Sequence, residues 1–140
     1  MNRRNRALLR SIAPLVLMGV IFYFSAQTST GGHPWWDVIL RKLGHVTGYA
    51  LLTTLWWWAL RGLTARALPI AVGIALAYAC TDEFHQSFVH GRTGTPVDVA
   101  IDAIGMAIAA WLISRQFSPG YRGRRDAVAQ SPRSSPARWP

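Results

Sequence analysis

The chain contains 140 residues, of which 51% are hydrophobic and only 15% are charged, and its formal net charge is +9. Soluble domains usually contain about 25% charged residues, so this composition argues against an ordinary soluble enzyme. The charges also gather in residues 1–10 and 114–140, which hold 11 of the 21 charged side chains. A nucleic-acid-binding protein needs its bases on a folded face, so we expect no nucleic-acid partner.

Four apolar segments follow one another along the chain, each close to the shortest length that spans a bilayer. A soluble four-helix bundle would need polar outer faces, which stretches such as residues 69–80 lack. The sequence therefore predicts an all-α fold, an integral membrane four-helix bundle within a transmembrane domain of residues 1–113. The predicted helices cover about residues 7–25, 43–60, 67–84 and 97–113.

The two ends of the chain raise the questions of a cleaved signal peptide and of a disordered tail. The first segment follows an arginine-rich start, as a signal peptide would, but aromatic residues 22–24 close it and no A-x-A-like cleavage site follows. We therefore expect it to remain as the first helix. Residues 114–140 are rich in Arg, Ser and Pro, and we predict that they form a disordered basic cytoplasmic tail.

The basic residues also predict the orientation of the helices. With the N- and C-termini in the cytoplasm, 12 of the 15 Lys and Arg residues lie on the inner side. Only Arg41, Lys42 and Arg92 then lie outside, which satisfies the positive-inside rule. The tryptophans at 56–58 fall at the inner interface, as an aromatic belt requires.

In this topology, nearly every side chain that is able to do chemistry lies on the outer side of the membrane. This concentration is the main functional signal in the sequence, because ionisable groups inside membrane helices are costly and mark functional sites. The group comprises all four histidines and five of the six acids, namely His33, His45, His85, His90, Asp37, Asp82, Glu83, Asp98 and Asp102.

Helical spacing places many of these groups on shared faces. Arg41, His45 and Tyr49 form an i, i+4 stripe on the second helix, beside a Gly44/Gly48 pair that predicts close approach of another helix. The third helix carries small residues that lead to polar ones, at Ala71, Ala75, Ala79, Asp82 and Gln86. The fourth helix has an inward face of Asp98, Asp102, Gly105 and Ala109, and a lipid face of Ile101, Ile104 and Ile108.

Asp102 lies about a turn and a half inside the fourth helix, where a lone carboxylate costs a few kcal/mol. It must be paired, protonated or in contact with a wet cavity, and the candidate partners are Arg41, Lys42, His45 and Arg92. The loop over residues 90–96 is short and contains two glycines, so it could fold Arg92 back over the cluster.

These arguments give a set of candidate site residues. The catalytic candidates are His45, Asp82, Glu83, His85, Asp98 and Asp102, and the ligand-binding candidates are Arg41, Lys42, Tyr49, Gln86 and Arg92. The acids and histidines are metal ligands by type, but their spacing matches no defined zinc motif, so we expect no metal and no cofactor. The alternative is that all these polar residues only stabilise the contacts between helices. The Arg41, His45 and Tyr49 stripe would then anchor the second helix at the membrane interface.

Several short motifs occur in a fixed order. They are FYFSAQ at 22–27, RKLGHVTGY at 41–49, TDEFHQSFVHGR at 81–92, and Asp98 and Asp102 followed by Gly105. In this order they resemble the VanZ-like family of small bacterial membrane proteins, with its S-x-Q, RK-x-x-H-x-x-x-Y, DE-x-HQ-x-F-x-x-GR and D-x-x-x-[ND]-x-x-G motifs. One departure is Gly44, where the family often has alanine.

The resemblance implies a multi-pass protein of the bacterial inner membrane with a role in the cell envelope. The family takes its name from a protein that lowers susceptibility to the glycopeptide antibiotic teicoplanin. It therefore implies a process, antibiotic resistance, but no defined reaction, and whether the chain is an enzyme is left open.

Two functions fit these observations. In the first, the protein binds or modifies a membrane lipid or lipid-linked envelope precursor at the outer leaflet, with Arg41, Lys42 and Arg92 on the headgroup phosphate and a histidine or carboxylate as acid or base. In the second, it is a non-enzymatic accessory protein that docks a partner or a glycopeptide antibiotic. A transporter fits less well, because the inner halves of the helices lack the ionisable residues of a relay.

Overall fold

A computed structural model of the protein describes residues 2–27, 35–90 and 94–117. These residues form four α-helices and contain no strand, so the all-α prediction is confirmed. The helices are α1 (Arg3–Ser25), α2 (Trp35–Leu60), α3 (Ala67–Gln86) and α4 (Pro96–Phe117).

The helices are longer than the apolar segments that predicted them. α2 begins eight residues before its predicted start, because the amphipathic stretch from Trp35 continues the helix beyond the apolar run. α4 continues to Phe117, so residues 114–117, which we assigned to the tail, form its last turn. The predicted disorder of 118–140 concerns residues outside the described part of the chain.

Three helices, α1, α3 and α4, are long and apolar enough to cross a membrane. Large apolar side chains such as Leu15, Val16 and Ile104 are exposed on them, as lipid-facing positions are. α2 is not among the three, because it carries polar side chains such as His45 and Thr54 between its apolar ones. A fourth crossing by α2 therefore stays a prediction.

α2 lies at the centre of the packing, since it contacts each of the other three helices. Tyr49 and Leu52 of α2 form the buried core with Ala75 and Ala79 of α3 and Met106 of α4. The alanines of α3 leave room for the larger side chains of α2, which is how membrane helices approach closely without a hydrophobic driving force.

The inward face predicted for α3 is confirmed, because its buried residues include Ala71, Ala75, Ala79, Asp82 and Gln86. The faces predicted for α4 are confirmed in part. Asp102, Gly105 and Ala109 are buried and Ile104 and Ile108 are exposed, but Asp98 and Ile101 are only partly buried. Asp82, Gln86 and Asp102 consequently point into the protein.

The closest approach of two helices occurs at Gly105 and not at the predicted Gly44/Gly48 pair. A Cβ atom at Gly105 would lie against the backbone carbonyl of Val46, so α4 contacts the backbone of α2 there. A Cβ at Gly44 would meet no atom within 4 Å, and one at Gly48 would make only ordinary contacts with Ile21. The prediction of close approach at Gly44 was therefore wrong, because Gly44 borders a groove.

Aromatic and basic side chains meet at one end of the helices. The Arg10 guanidinium of α1 lies 4.5 Å from the ring centroid of Trp58 in α2, within cation–π range. The rings of Trp57 and Phe117 lie 4.8 Å apart, which joins the ends of α2 and α4. The start of α1 and the ends of α2 and α4 therefore share one end, and the polar contacts between helices lie toward the other.

Candidate functional site

The deepest polar contact joins α2 to α4. Asp102 is fully buried, and its Oδ1 atom lies 3.1 Å from Nδ1 of His45. An ionised carboxylate can only accept, so in the ionised form of Asp102 the hydrogen of this bond is on Nδ1. The second oxygen, Oδ2, is buried and has no hydrogen-bond partner among the described residues. The structure thus pairs Asp102 with His45, and Arg92, another candidate partner, lies outside the described residues.

A second buried group joins α1 to α3. The hydroxyl of Ser25 donates to Oδ2 of Asp82 over 2.7 Å, and Nε2 of Gln86 donates to the same oxygen over 3.1 Å. The Gln86 amide also donates to Oε1 of Glu83 over 3.2 Å. Both carboxylates are buried, yet Oδ1 of Asp82 is without a hydrogen-bond partner within residues 2–27, 35–90 and 94–117.

Thr95, just before α4, connects the second group to the start of α4. The backbone N–H of Thr95 donates to Oε2 of Glu83 over 3.2 Å, and its hydroxyl donates to Oδ2 of Asp98 over 2.7 Å. The other oxygen of Asp98 pairs with Nζ of Lys42 at 3.0 Å, in a partly exposed setting. Gly94 is required here, because a Cβ at that position would meet the backbone carbonyl of Glu83.

The structure brings together His45, Asp82 and Glu83, which come from α2 and α3. Each offers one ligand atom, and these three atoms lie within 4.8 Å of one another. Asp102 joins the group through its bond to His45. The four side chains bring three buried carboxylates and one partly buried imidazole together, an arrangement that suits a proton relay or a cation.

The other predicted site residues lie around this group. His85 packs on the ring of Phe22, with 4.5 Å between the centroids, and Tyr49 is buried beneath His45 with 6.1 Å between the rings. Lys42 and Asp98 pair with each other. Arg92 lies outside the described residues, so its predicted position over the cluster stays a prediction, as do the chemical roles of the whole set.

A groove of about 530 Å³ runs between α1 and α2, beside the polar group. Arg41, His45 and Tyr49, the stripe identified on α2, all line it. The remaining lining residues are Leu17, Val20, Ile21, Phe24, Ser25, Gln27, Leu40, Gly44 and Gly48. Its volume lies within the range of about 300–1,000 Å³ typical of small-molecule sites.

A family model described as VanZ/LLP1 matches residues 10–117. The chain belongs to the VanZ/LLP1 family. The matched region runs from the first half of α1 to the last residue of α4, and therefore includes both the polar group and the groove of this VanZ/LLP1 protein. The family membership predicted from the sequence motifs is thus confirmed. No curated protein and no solved structure gives a significant match to the chain.

Two residues of the site were absent from the predicted set. Ser25 donates a hydrogen bond to Asp82. It belongs to the S-x-Q motif that ends α1, and this motif could have identified it as a site residue. Thr95 donates hydrogen bonds to both Glu83 and Asp98. A threonine followed by proline, with an acid three residues later, is a pattern typical of helix starts, and it could have singled out Thr95.

We expect Ser25→Ala to lower the free energy of unfolding by about 1–3 kcal/mol, because it removes a donor from a buried carboxylate. Ser11→Ala is the matched control, since the Ser11 hydroxyl bonds only to the carbonyl of Ala7 within the same helix. Thermal unfolding of the full chain in detergent would measure both. Equal stability of the two variants would contradict the role assigned to Ser25.

Proposed function

We propose that the protein binds a lipid-linked phosphate headgroup at the outer leaflet of the bacterial inner membrane, in the groove between α1 and α2. The observation that carries this proposal is the two-part lining of the groove, in which a basic and polar rim continues into an apolar floor. Binding a lipid in this way would place the protein in the cell envelope, the process that the family resemblance implies.

The groove is polar at one end and apolar along the rest of its length, as a lipid with a polar headgroup requires. Gln27 and Arg41 lie toward the ends of α1 and α2 that meet the polar group, whereas Leu17 and Ile21 line the deeper part. From Ser25 to Leu17 is eight residues of helix, or about 12 Å at 1.5 Å per residue. A headgroup at the rim could therefore place the first part of an acyl or prenyl chain along the leucine and isoleucine side chains.

Charge favours an anionic headgroup. Arg41 is the basic residue among the groove-lining side chains, and guanidinium groups bind phosphate in a bidentate manner. Arg41 lines the groove and the neighbouring Lys42 does not, so we assign the phosphate contact to Arg41. His45 lines the same groove and provides a polar contact beyond Arg41.

The orientation of the protein is part of this proposal. We infer that both termini face the cytoplasm, as the positive-inside rule predicts, and that α2 crosses the membrane as the fourth helix of a bundle. The aromatic–basic end would then lie at the inner interface, and the groove would open into the outer leaflet. Labelling of single-cysteine variants at residues 27 and 62 with a membrane-impermeant reagent tests this, and labelling of residue 62 alone from outside would contradict it.

Filling the groove should prevent lipid binding. Gly44→Leu places a side chain in the groove where a Cβ would meet no atom within 4 Å, and Gly73→Leu adds the same side chain in open space on α3, outside the groove. We expect native mass spectrometry of the full chain to detect polyprenyl phosphate adducts on the wild type and on Gly73→Leu. The adducts should fall at least about fivefold in Gly44→Leu and in Arg41→Gln, because an affinity loss of about 1 kcal/mol corresponds to that factor.

The same experiment separates the alternatives. Equal adducts on Gly44→Leu and the wild type would contradict lipid binding in the groove. If teicoplanin binds directly to the wild type, and polyprenyl phosphate does not compete, the protein is a docking protein for the antibiotic instead. A susceptibility assay in cells that express the same variants would show whether groove binding changes the response to teicoplanin.

A further inference from the structure

We propose that His45, Asp82 and Glu83 form a binding site for one divalent transition-metal ion, with Asp102 as the residue that positions the imidazole. This inference goes beyond lipid binding and does not rest on it. It also goes against the expectation from sequence spacing that the chain holds no metal.

The donor atoms have the right chemistry and are close together. One imidazole nitrogen and two carboxylate oxygens lie within 4.8 Å of one another. Ligands of one Zn²⁺ ion at about 2.1 Å can be at most about 4.2 Å apart, so modest side-chain rotation brings them to binding distance. A mixed set of nitrogen and oxygen donors suits Zn²⁺ or Mn²⁺ better than Mg²⁺, which prefers oxygen ligands alone.

A second observation points independently to a cation. Oδ1 of Asp82 is buried and unpartnered in the described part of the chain, although Asp82 is only 2% exposed. Its other oxygen is already satisfied by Ser25 and Gln86. An unpaired buried carboxylate oxygen costs several kcal/mol. A metal bound at Oδ1 would remove that cost without disturbing the existing hydrogen bonds.

The contact between His45 and Asp102 resembles the carboxylate–histidine pair found at many metal sites. Metal-bound histidines almost always donate their other ring N–H to a carboxylate or a carbonyl, which fixes the tautomer. Oδ1 of Asp102 lies 3.1 Å from Nδ1 of His45, and when an ionised Asp102 accepts the Nδ1 hydrogen, Nε2 of a neutral imidazole keeps its lone pair. Asp102 itself is buried on the far side of this bond, so it acts on the metal through the imidazole.

The charges of the group also require compensation. Asp82, Glu83 and Asp102 bring three carboxylates into the interior beside the imidazole of His45. The Lys42 ammonium pairs with Asp98. A divalent cation between Asp82 and Glu83 would offset carboxylate charge at a place where the dielectric constant is low and unbalanced charge is costly.

The test uses the full chain in detergent, stripped with a chelator and titrated with Zn²⁺ by calorimetry. We expect one Zn²⁺ ion to bind per chain, with Mn²⁺ competing for the site in electron paramagnetic resonance. His45→Gln, Asp82→Asn and Glu83→Gln should each weaken binding by more than about 100-fold. Asp102→Asn, which changes only the support of a ligand, should weaken it by about 10–100-fold.

Two matched controls come from outside the candidate set. His90→Gln and Asp126→Asn remove an imidazole and a carboxylate that are not among the candidate site residues, and they should bind Zn²⁺ like the wild type. The melting temperature should rise with Zn²⁺ in the wild type and in both controls, because a ligand that binds only the folded state stabilises it. If Asp82→Asn does not fold, Glu83→Gln provides the decisive comparison, since the Ser25 hydroxyl donates to Asp82 and this bond is kept in Glu83→Gln.

Two outcomes would overturn the inference. One is a wild type that binds no more Zn²⁺ than the Glu83→Gln variant. The other is a loss of binding in the controls equal to that in the ligand variants, which would indicate non-specific sites. Gly44→Leu separates this inference from the lipid proposal, because it should lose polyprenyl phosphate adducts while keeping its affinity for Zn²⁺.

Discussion

Replacing Asp102 with alanine is expected to lower the free energy of unfolding by about 3 kcal/mol. Asp102 is completely buried and its partner His45 is only 22% exposed, so the substitution leaves a buried imidazole without its acceptor. Breaking a buried ion pair typically costs about 3–5 kcal/mol. A neutral hydrogen bond between membrane helices is worth about 0.6 kcal/mol and rarely more than about 1.7 kcal/mol. The size of the loss therefore reports whether the pair is ionised.

The matched control is Asp98→Ala, which breaks a pair between the same two helices. The side chains of Lys42 and Asp98 are 45% and 30% exposed, and exposed pairs contribute about 1 kcal/mol or less. Chemical unfolding of the full chain in detergent would compare both variants, and double-mutant cycles with His45→Gln and Lys42→Gln would isolate each pair. Equal losses for Asp98→Ala and Asp102→Ala would contradict the assignment of Asp102 as the deep polar contact.

Gly105→Ala is expected to destabilise the protein by about 2–3 kcal/mol, although it adds a single methyl group. The new Cβ would collide with the carbonyl oxygen of Val46, which belongs to the backbone and cannot rotate away. α4 must then move off α2, and such overpacking costs about 1–3 kcal/mol. Because His45 directly precedes Val46 in α2, the shift should also lengthen its bond to Asp102.

Gly73→Ala makes the same chemical change in α3, where a Cβ would meet no atom within 4 Å. Alanine favours a helix over glycine by up to about 1 kcal/mol, so this variant should be as stable as the wild type or more stable. The two substitutions are thus expected to have opposite signs in the same thermal unfolding experiment. A Gly105→Ala variant that is no less stable than Gly73→Ala would show that the two helices do not meet at this glycine.

Much of the fold follows from patterns in the sequence. The repeat of small residues at Ala71, Ala75 and Ala79 predicted the buried face of α3, because only small side chains allow neighbouring helices so close. The end of α1 at Ser25 also agreed with the prediction. The start of α2 did not, since hydropathy detects the part of a helix that meets lipid and misses an amphipathic turn before it.

The site could be predicted only in part. The depth of Asp102 indicated that it needs a partner, but four bases were candidates, and only packing selects His45. The proximity of His45 to Asp82 and Glu83 depends on the relative rotation of α2 and α3. The spacing of residues within a single helix does not predict that rotation. The closest helix contact fell at Gly105 for the same reason, since Gly44 and Gly105 look alike in the sequence.

The polar contacts between helices have a consequence for biosynthesis. Ser25 with Asp82, His45 with Asp102 and Lys42 with Asp98 join residues that are 56 or 57 positions apart in the chain. At about 5–20 residues per second, the second residue of each pair is synthesised roughly 3–11 s after the first. During that interval the imidazole of His45 lacks its hydrogen-bond partner Asp102, so α2 completes its polar contacts only after α4 has been synthesised.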